Sequence, residues 1–251
     1  MFGGLKDGVA IITGAGGGMG IATAKRLAAE GCRIFGVDVS EAGLNKLRET
    51  LEVEGIQDLV TFACDTTNEA EVNRAVETCI RTFGKITILV NTAGIYTDRL
   101  MKDMDFAEWQ RTLNINLNGV MFFCHAVLDN MLKNGYGKII NLTSQAGISG
   151  SVMHSHYAAS KAGIIGMSRS IAREVAEYGI TVNCIAPGII KTPMTAHYTP
   201  EQVKNFMDKI PMKRFGEADD VAKVVEFLAS DGADYITGQV YNVTGGWLMV
   251  S

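Results

Sequence analysis

Tyr157 and Lys161 stand four residues apart in Tyr157-Ala158-Ala159-Ser160-Lys161, and on a helix that spacing stacks the two side chains on one face, one turn apart. A phenol ordinarily titrates near ~10, so it exchanges protons poorly at neutral pH unless a nearby positive charge favours the phenolate. Lys161 supplies such a charge, and the pair predicts a group that gives and retakes a proton. Upstream, the apolar run Lys138-Ile139-Ile140-Asn141-Leu142 ends in Thr143 and Ser144. Neighbouring strand residues point to opposite faces, so one of these two hydroxyls is expected to look into the same site, and Ser144 is placed to meet Tyr157.

A second set of residues is suited to phosphate. Val9-Ala10-Ile11-Ile12 runs into Thr13-Gly14-Ala15-Gly16-Gly17-Gly18-Met19-Gly20, after which Ile21, Ala24, Leu27 and Ala28 recur at helical spacing. Strand, glycine turn and helix in that order let backbone amides and the positive end of the helix approach a pyrophosphate. The next strand, Cys32 to Val37, ends in Asp38, about 20 residues beyond the glycines, where a carboxylate reaches the ribose hydroxyls of an adenosine. Such a carboxylate accepts hydrogen bonds from both hydroxyls of NAD and repels the extra phosphate of NADP, so NAD is the expected cofactor. Asp38 has an alternative use as the cap of the helix beginning near Glu41, a role open to Ser40 as well.

These groups require a scaffold of alternating strands and helices. Strands are expected at Leu59 to Cys64, Ile86 to Val90, Lys138 to Leu142, Ile180 to Ala186 and around Val240 to Val243, in addition to the first two. Helices are expected from Ala70 to Phe83, over a long stretch from Phe106 to Leu132, from Tyr157 onward, and from Ala218 to Leu228. The alternation predicts one doubly wound α/β domain over residues 1–251, with a seven-stranded parallel sheet covered by helices on both faces. Ligands in such sheets bind at the carboxyl ends of the strands, where Asp65, Asn91-Thr92-Ala93-Gly94 and Pro187-Gly188 fall. Asn114, Asn116 and Asn118 are poor helix formers inside the long helical stretch and need a reason to be there. The segment from 191 to 215 is irregular and polar and is expected to be a substrate lid.

Composition limits the alternatives. The chain has 251 residues, 47% of them hydrophobic, enough for a large core in a single domain. A net charge of -4 without a basic run speaks against nucleic acid. The absence of a signal-like start or a long apolar run leads to the expectation of a soluble, cytoplasmic protein without membrane association. Five scattered cysteines, never in Cys-x-x-Cys spacing, predict neither a disulfide framework nor a zinc site, and no metal is expected even though His154 and His156 lie two apart.

The ordered set of motifs resembles the short-chain dehydrogenase/reductase family over nearly the whole chain. Thr13, Gly14, Gly18 and Gly20 match its glycine motif; Asn91-Thr92-Ala93-Gly94 matches its Asn-Asn-Ala-Gly with Thr92 as a departure; Tyr157 and Lys161 match its Tyr-x-x-x-Lys. Pro187-Gly188-Ile189-Ile190-Lys191-Thr192 and Gly245-Gly246 match later motifs, with Thr244 where relatives commonly carry aspartate. The resemblance implies a catalytic set of Asn116, Ser144, Tyr157 and Lys161, with Asn116 holding a water that relays protons from Lys161. It implies cofactor binding by Gly14, Gly18, Met19, Gly20, Asp38, Asp65, Asn91, Ala93, Gly94, Tyr157, Lys161, Pro187, Gly188, Ile190 and Thr192. A homotetramer is also implied, with the small residues Ala158, Ala159, Ala162 and Gly163 on packing faces.

The expected reaction is hydride transfer between a secondary alcohol and NAD, with Tyr157 as general acid and base on a small hydroxy or keto substrate. Its runner-up is an NADPH-dependent 3-ketoacyl-(acyl-carrier-protein) reductase, and a third reading is a non-catalytic NAD sensor. Substrate contacts are expected from Ser144, Gln145, His154, Tyr157 and Met194, within a pocket that also takes in Ile95, Tyr96, Ala146, Ile189 and Met207. An alicyclic, steroid-like or medium-chain hydroxy compound suits that lining.

Overall fold

The computed structural model describes residues 3–192, 195 and 198–249. The first half of the chain runs β1 (Val9–Thr13), α1 (Gly18–Ala29), β2 (Arg33–Asp38), α2 (Glu41–Val53), β3 (Leu59–Ala63), α3 (Glu69–Phe83) and β4 (Ile88–Asn91). There follow α4 (Phe106–Leu113), α5 (Gly119–Asn134), β5 (Gly137–Leu142), a short α6 (Ala146–Ser149), α7 (Ser155–Val175) and β6 (Ile180–Pro187). The chain closes with β7 (Ile190–Lys191), α8 (Pro200–Lys209), β8 (Gly216–Glu217), α9 (Ala218–Ala229) and β9 (Val240–Val243).

Seven strands form one parallel sheet in the order β3-β2-β1-β4-β5-β6-β9. The continuous apolar runs noted in the sequence reflect burial of both faces, because alternate residues feed different cores. In β1, Val9 and Ile11 pack with Val72 of α3, Phe123 of α5 and Ile164 of α7, whereas Ala10 and Ile12 pack with Leu27 of α1, Leu47 of α2 and Val225 of α9. The order reverses between β1 and β4, and this switch opens a crevice at the strands' carboxyl ends.

Three local differences from the sequence expectations have physical causes. The long helix expected from Phe106 to Leu132 is interrupted by a π-turn at Asn114–Asn118, which turns buried Asn116 inward while Asn118 bonds Asn114 on the outside at 2.9 Å. Helix α7 begins at Ser155, two residues before Tyr157, so the tyrosine sits within its first turn. The 191–215 segment is less irregular than its polarity indicated: α8 is closed at its start by a reciprocal capping box between Thr199 and Gln202 with Pro200 next in line, and β7 pairs with β8.

All five cysteines are free and buried, and burial pushes the thiols of Cys32, Cys64, Cys79 and Cys124 up to about 12 and that of Cys184 up to about 11. Among the described residues no helix is long and apolar enough to cross a membrane, and no cluster of three His, Cys, Asp or Glu side chains has the geometry of a metal site.

Candidate active site

The glycine turn is built for close approach of a ligand. Gly14 has φ +64, a left-handed backbone, and a Cβ there would strike the backbone of Ala93 at 2.8 Å. At Gly18 the added atom would meet only Thr192, at 3.4 Å, so this glycine faces open space between the turn and the loop after β6. Helix α1 starts with no side-chain cap, leaving its first amides directed at that space. Thr92, the departure in the Asn-Asn-Ala-Gly motif, donates its hydroxyl to Thr13 O at 2.6 Å and ties the end of β4 to the turn.

Asp38 ends β2 with both carboxylate oxygens held, one accepting from Gly16 N and the other from Ser40 N, each at 2.9 Å. The helix cap is Ser40, which accepts from Gly43 N at 3.1 Å. That outcome separates the two roles open to Asp38 in the sequence: the carboxylate is pinned against the glycine turn and does not cap α2. Asp65 lies at the end of β3 in a local turn, accepting from the backbone and hydroxyl of Thr67 at 2.9 and 2.8 Å. The Asn91 side chain points into the protein and bonds Asn141 at 2.9 Å, so it steadies the strand behind Ala93 and Gly94, which border the crevice. On the far side, Gly188 N donates to Val243 O at 2.9 Å, and Ile190 is buried while Thr192 is half-buried. Together the glycine amides, Asp38 and the loop from Pro187 to Thr192 fit an adenosine, pyrophosphate and nicotinamide in sequence.

Four side chains meet where β4, β5, α7 and the π-turn converge. The alternation rule resolves Thr143 and Ser144: Thr143 is buried and donates to Lys161 O at 2.8 Å, whereas Ser144 lines the cavity and hydrogen-bonds Tyr157. Lys161 is 4% exposed, donates Nζ to Leu142 O at 2.9 Å and lies 5.7 Å from the Tyr157 ring centroid. Asn116 uses both ends of its amide on one residue, accepting from Ile95 N at 2.8 Å and donating to Ile95 O at 2.9 Å. Its Nδ2 also reaches Ser160 Oγ at 3.3 Å. Burial pushes the Tyr157 phenol up to about 12, with the Ser144 hydrogen bond acting in the opposite direction. Burial also pushes the Lys161 ammonium down to about 8. In the protein alone the direction is thus opposite to the lowered phenol expected from the helix spacing, with desolvation the largest influence.

The cavity in front of Tyr157 has a volume of about 450 Å³. Of the residues expected to line it, Tyr96, Ser144, Gln145, Ala146, His154 and Ile189 do so. Ile95 and Met207 do not border it, and Met194 lies outside the described residues. Tyr198 and Phe206, apolar residues of the 191–215 segment expected to be the lid, also line it, together with Trp247, which the sequence reading passed over; rings of Phe206 and Tyr198 are 5.1 Å apart and those of Phe206 and Trp247 5.9 Å apart. His154 and His156 do not converge: His154 Nε2 is 2.7 Å from Asp98 and His156 Nε2 is 2.9 Å from Thr97.

Comparison with known proteins agrees with this geometry. Residues 14–248 match the family model described as Enoyl-(Acyl carrier protein) reductase. The chain is 40% identical to a 3-oxoacyl-[acyl-carrier-protein] reductase of Escherichia coli, over 96% of this chain and 98% of that one. It is 39% identical to the protein of the same description from Thermotoga maritima, with coverage of 96% and 98%. Among solved structures, levodione reductase superposes with a TM-score of 0.92 at 37% identity, covering 96% of this chain and 97% of that chain.

Proposed function

The chain belongs to the short-chain dehydrogenase/reductase family, and on that premise we propose that it interconverts a secondary alcohol and a ketone with NAD(H), Tyr157 being the general acid and base. The observation that carries this reading is the pairing of Ser144 and Tyr157 in one cavity lining, with the buried Lys161 ammonium 5.7 Å from the Tyr157 ring centroid and Asp38 held against the glycine turn. Gly14, Gly18, Met19, Gly20, Asp38, Asp65, Ala93, Gly94, Pro187, Gly188, Ile190 and Thr192 would hold the dinucleotide, with Asn91 supporting from behind. The nicotinamide, when bound, supplies or accepts the hydride.

The protein's own groups handle the proton and the oxygen. In reduction, Ser144 donates a hydrogen bond to the carbonyl oxygen and orients it against Tyr157, whose hydroxyl proton passes to that oxygen as charge develops there. Lys161, one helical turn behind, offsets the phenolate left on Tyr157 and favours its re-protonation. Oxidation reverses these steps, with the phenolate taking the alcohol proton. Asn116 fixes the Ile95 backbone beside the site, and its proposed part in proton relay runs through water between Lys161 and solvent.

The acidic Asp38 supports NAD over NADP, since a 2′-phosphate there meets like charge. Initial rates with NADH and NADPH at equal concentration test this, and a strong NADPH preference overturns it. A second reading, reduction of a 3-oxoacyl group carried on acyl carrier protein, is supported by the curated relatives. A 3-oxoacyl thioester assayed beside simple ketones decides between them: turnover confined to the thioester favours the second reading.

A further inference from the structure

Beyond the groups that handle the reacting oxygen, the cavity wall contains a second polar cluster centred on Tyr96. Its ring stacks on the His154 imidazole, with centroids 4.2 Å apart and planes 17° apart, and meets Tyr157 edge-on at 4.9 Å and 88°. The His154 ring is held at both nitrogens: Nε2 lies 2.7 Å from Asp98 Oδ1 and Nδ1 lies 2.9 Å from Ser151 Oγ and 3.4 Å from the Tyr96 hydroxyl. Asp98, half exposed at 51%, is the acceptor facing Nε2. Ser151 is the closer of the two hydroxyls at Nδ1. Tyr96, whose hydroxyl also bonds Tyr198, lines the cavity together with Tyr157. His154 is 7% exposed with both nitrogens engaged, so it acts through Tyr96 and not as a direct substrate contact.

Nothing in the proposed proton path needs this cluster. Ile189, Phe206 and Trp247 add apolar surface to the same lining. A substrate filling such a cavity meets ring and aliphatic carbon as well as hydroxyl groups. We propose that Tyr96, oriented by the Asp98–His154 pair, is a specificity-determining residue that binds a second oxygen of the substrate, so that the preferred substrate is a hydroxyketone or diketone and not a hydrocarbon ketone. The proposal rests on the carbonyl reduction assigned above and adds to it the class of substrate. A phenolic hydroxyl both gives and accepts hydrogen bonds, so it takes either a hydroxyl or a carbonyl at that place.

The test compares 4-hydroxycyclohexanone with cyclohexanone, two ketones that differ by one hydroxyl, using NADH and the full-length protein. The wild type is expected to prefer the hydroxyketone in kcat/KM, mainly through KM. Tyr96→Phe keeps the ring stacked on His154 and removes only the hydroxyl, and it should lower that preference ratio about 10-fold, the worth of one hydrogen bond. Asp98→Asn removes the charge that fixes the imidazole and should lower the ratio in the same direction; being at an exposed position, it decides the matter if Tyr96→Phe fails to fold. An unchanged ratio in the folded variant, or a wild type with no preference, overturns the inference. If the wild type reduces neither ketone, the reductase reading fails separately, and calorimetric affinities of the same two compounds for wild type and Tyr96→Phe give the ratio without turnover.

Discussion

Tyr157 at about 12 and Lys161 at about 8 mean that the proton most readily lost from the ligand-free site near neutral pH belongs to the lysine. Below about 8 the ammonium is present to offset a forming phenolate; above it a neutral amine is left, and the phenol is a poorer acid partner. The kcat/KM of ketone reduction is therefore expected to fall as pH rises through about 8, and a profile flat across that region removes Lys161 from this role. Tyr157→Phe deletes the transferable proton while leaving the ring in place, so turnover should fall roughly 10²- to 10⁴-fold with NADH affinity retained. Steady-state rates together with cofactor titration check both halves of that expectation. Of the site, the Tyr157, Lys161, Ser144 and Asp38 positions were legible because local spacing and strand ends encode them. Trp247 was not legible, since it reaches the cavity from the far end of the sequence and only the tertiary fold brings it to Phe206 of the expected lid segment.

At the scale of elements, the π-turn explains the run of asparagines inside a helix. The wider turn lets Asn116 face inward and close a two-bond clamp on Ile95, the residue that precedes Tyr96. Asn116→Ala orphans the Ile95 amide and carbonyl in a half-buried setting, which costs about 2 to 4 kcal/mol. Thermal unfolding should show the loss, and the variant should also raise KM because the clamp places the loop after β4 that leads to Tyr96. A melting curve unchanged from wild type removes the clamp from the stability account. Periodicity identified the long helical stretch but not its interruption, because a single π-turn shifts the apolar face only once, and the three asparagines were the sole local mark of it. Helix α8 was missed for a different reason. Its side chains are mostly polar and none is buried, so burial periodicity was weak, although Thr199-Pro200-Glu201-Gln202 carried a readable start signal.

At the scale of the molecule, the seven-stranded sheet was the most legible feature, since each strand is a short apolar run and each crossing helix an amphipathic one. The proposed homotetramer is an assembly property that one chain displays only as surface. Ala162 is exposed on α7, Met121 is 38% exposed on the neighbouring α5, and Gly163 lies against Leu117. Sedimentation is expected to give a single species of four chains, and a monodisperse monomer refutes it.

The five buried cysteines carry a practical consequence that has nothing to do with catalysis. Each thiol is shielded and made a weaker acid than usual in the folded protein, and each belongs to a different element or its edge: the start of β2, the end of β3, α3, α5 and β6. A soft alkylating reagent reacts with thiolate, so it marks a given cysteine only while that neighbourhood is open. The chain thus carries its own clock of local unfolding. The order in which the five positions become labelled gives the order in which regions of the sheet and its covering helices come apart.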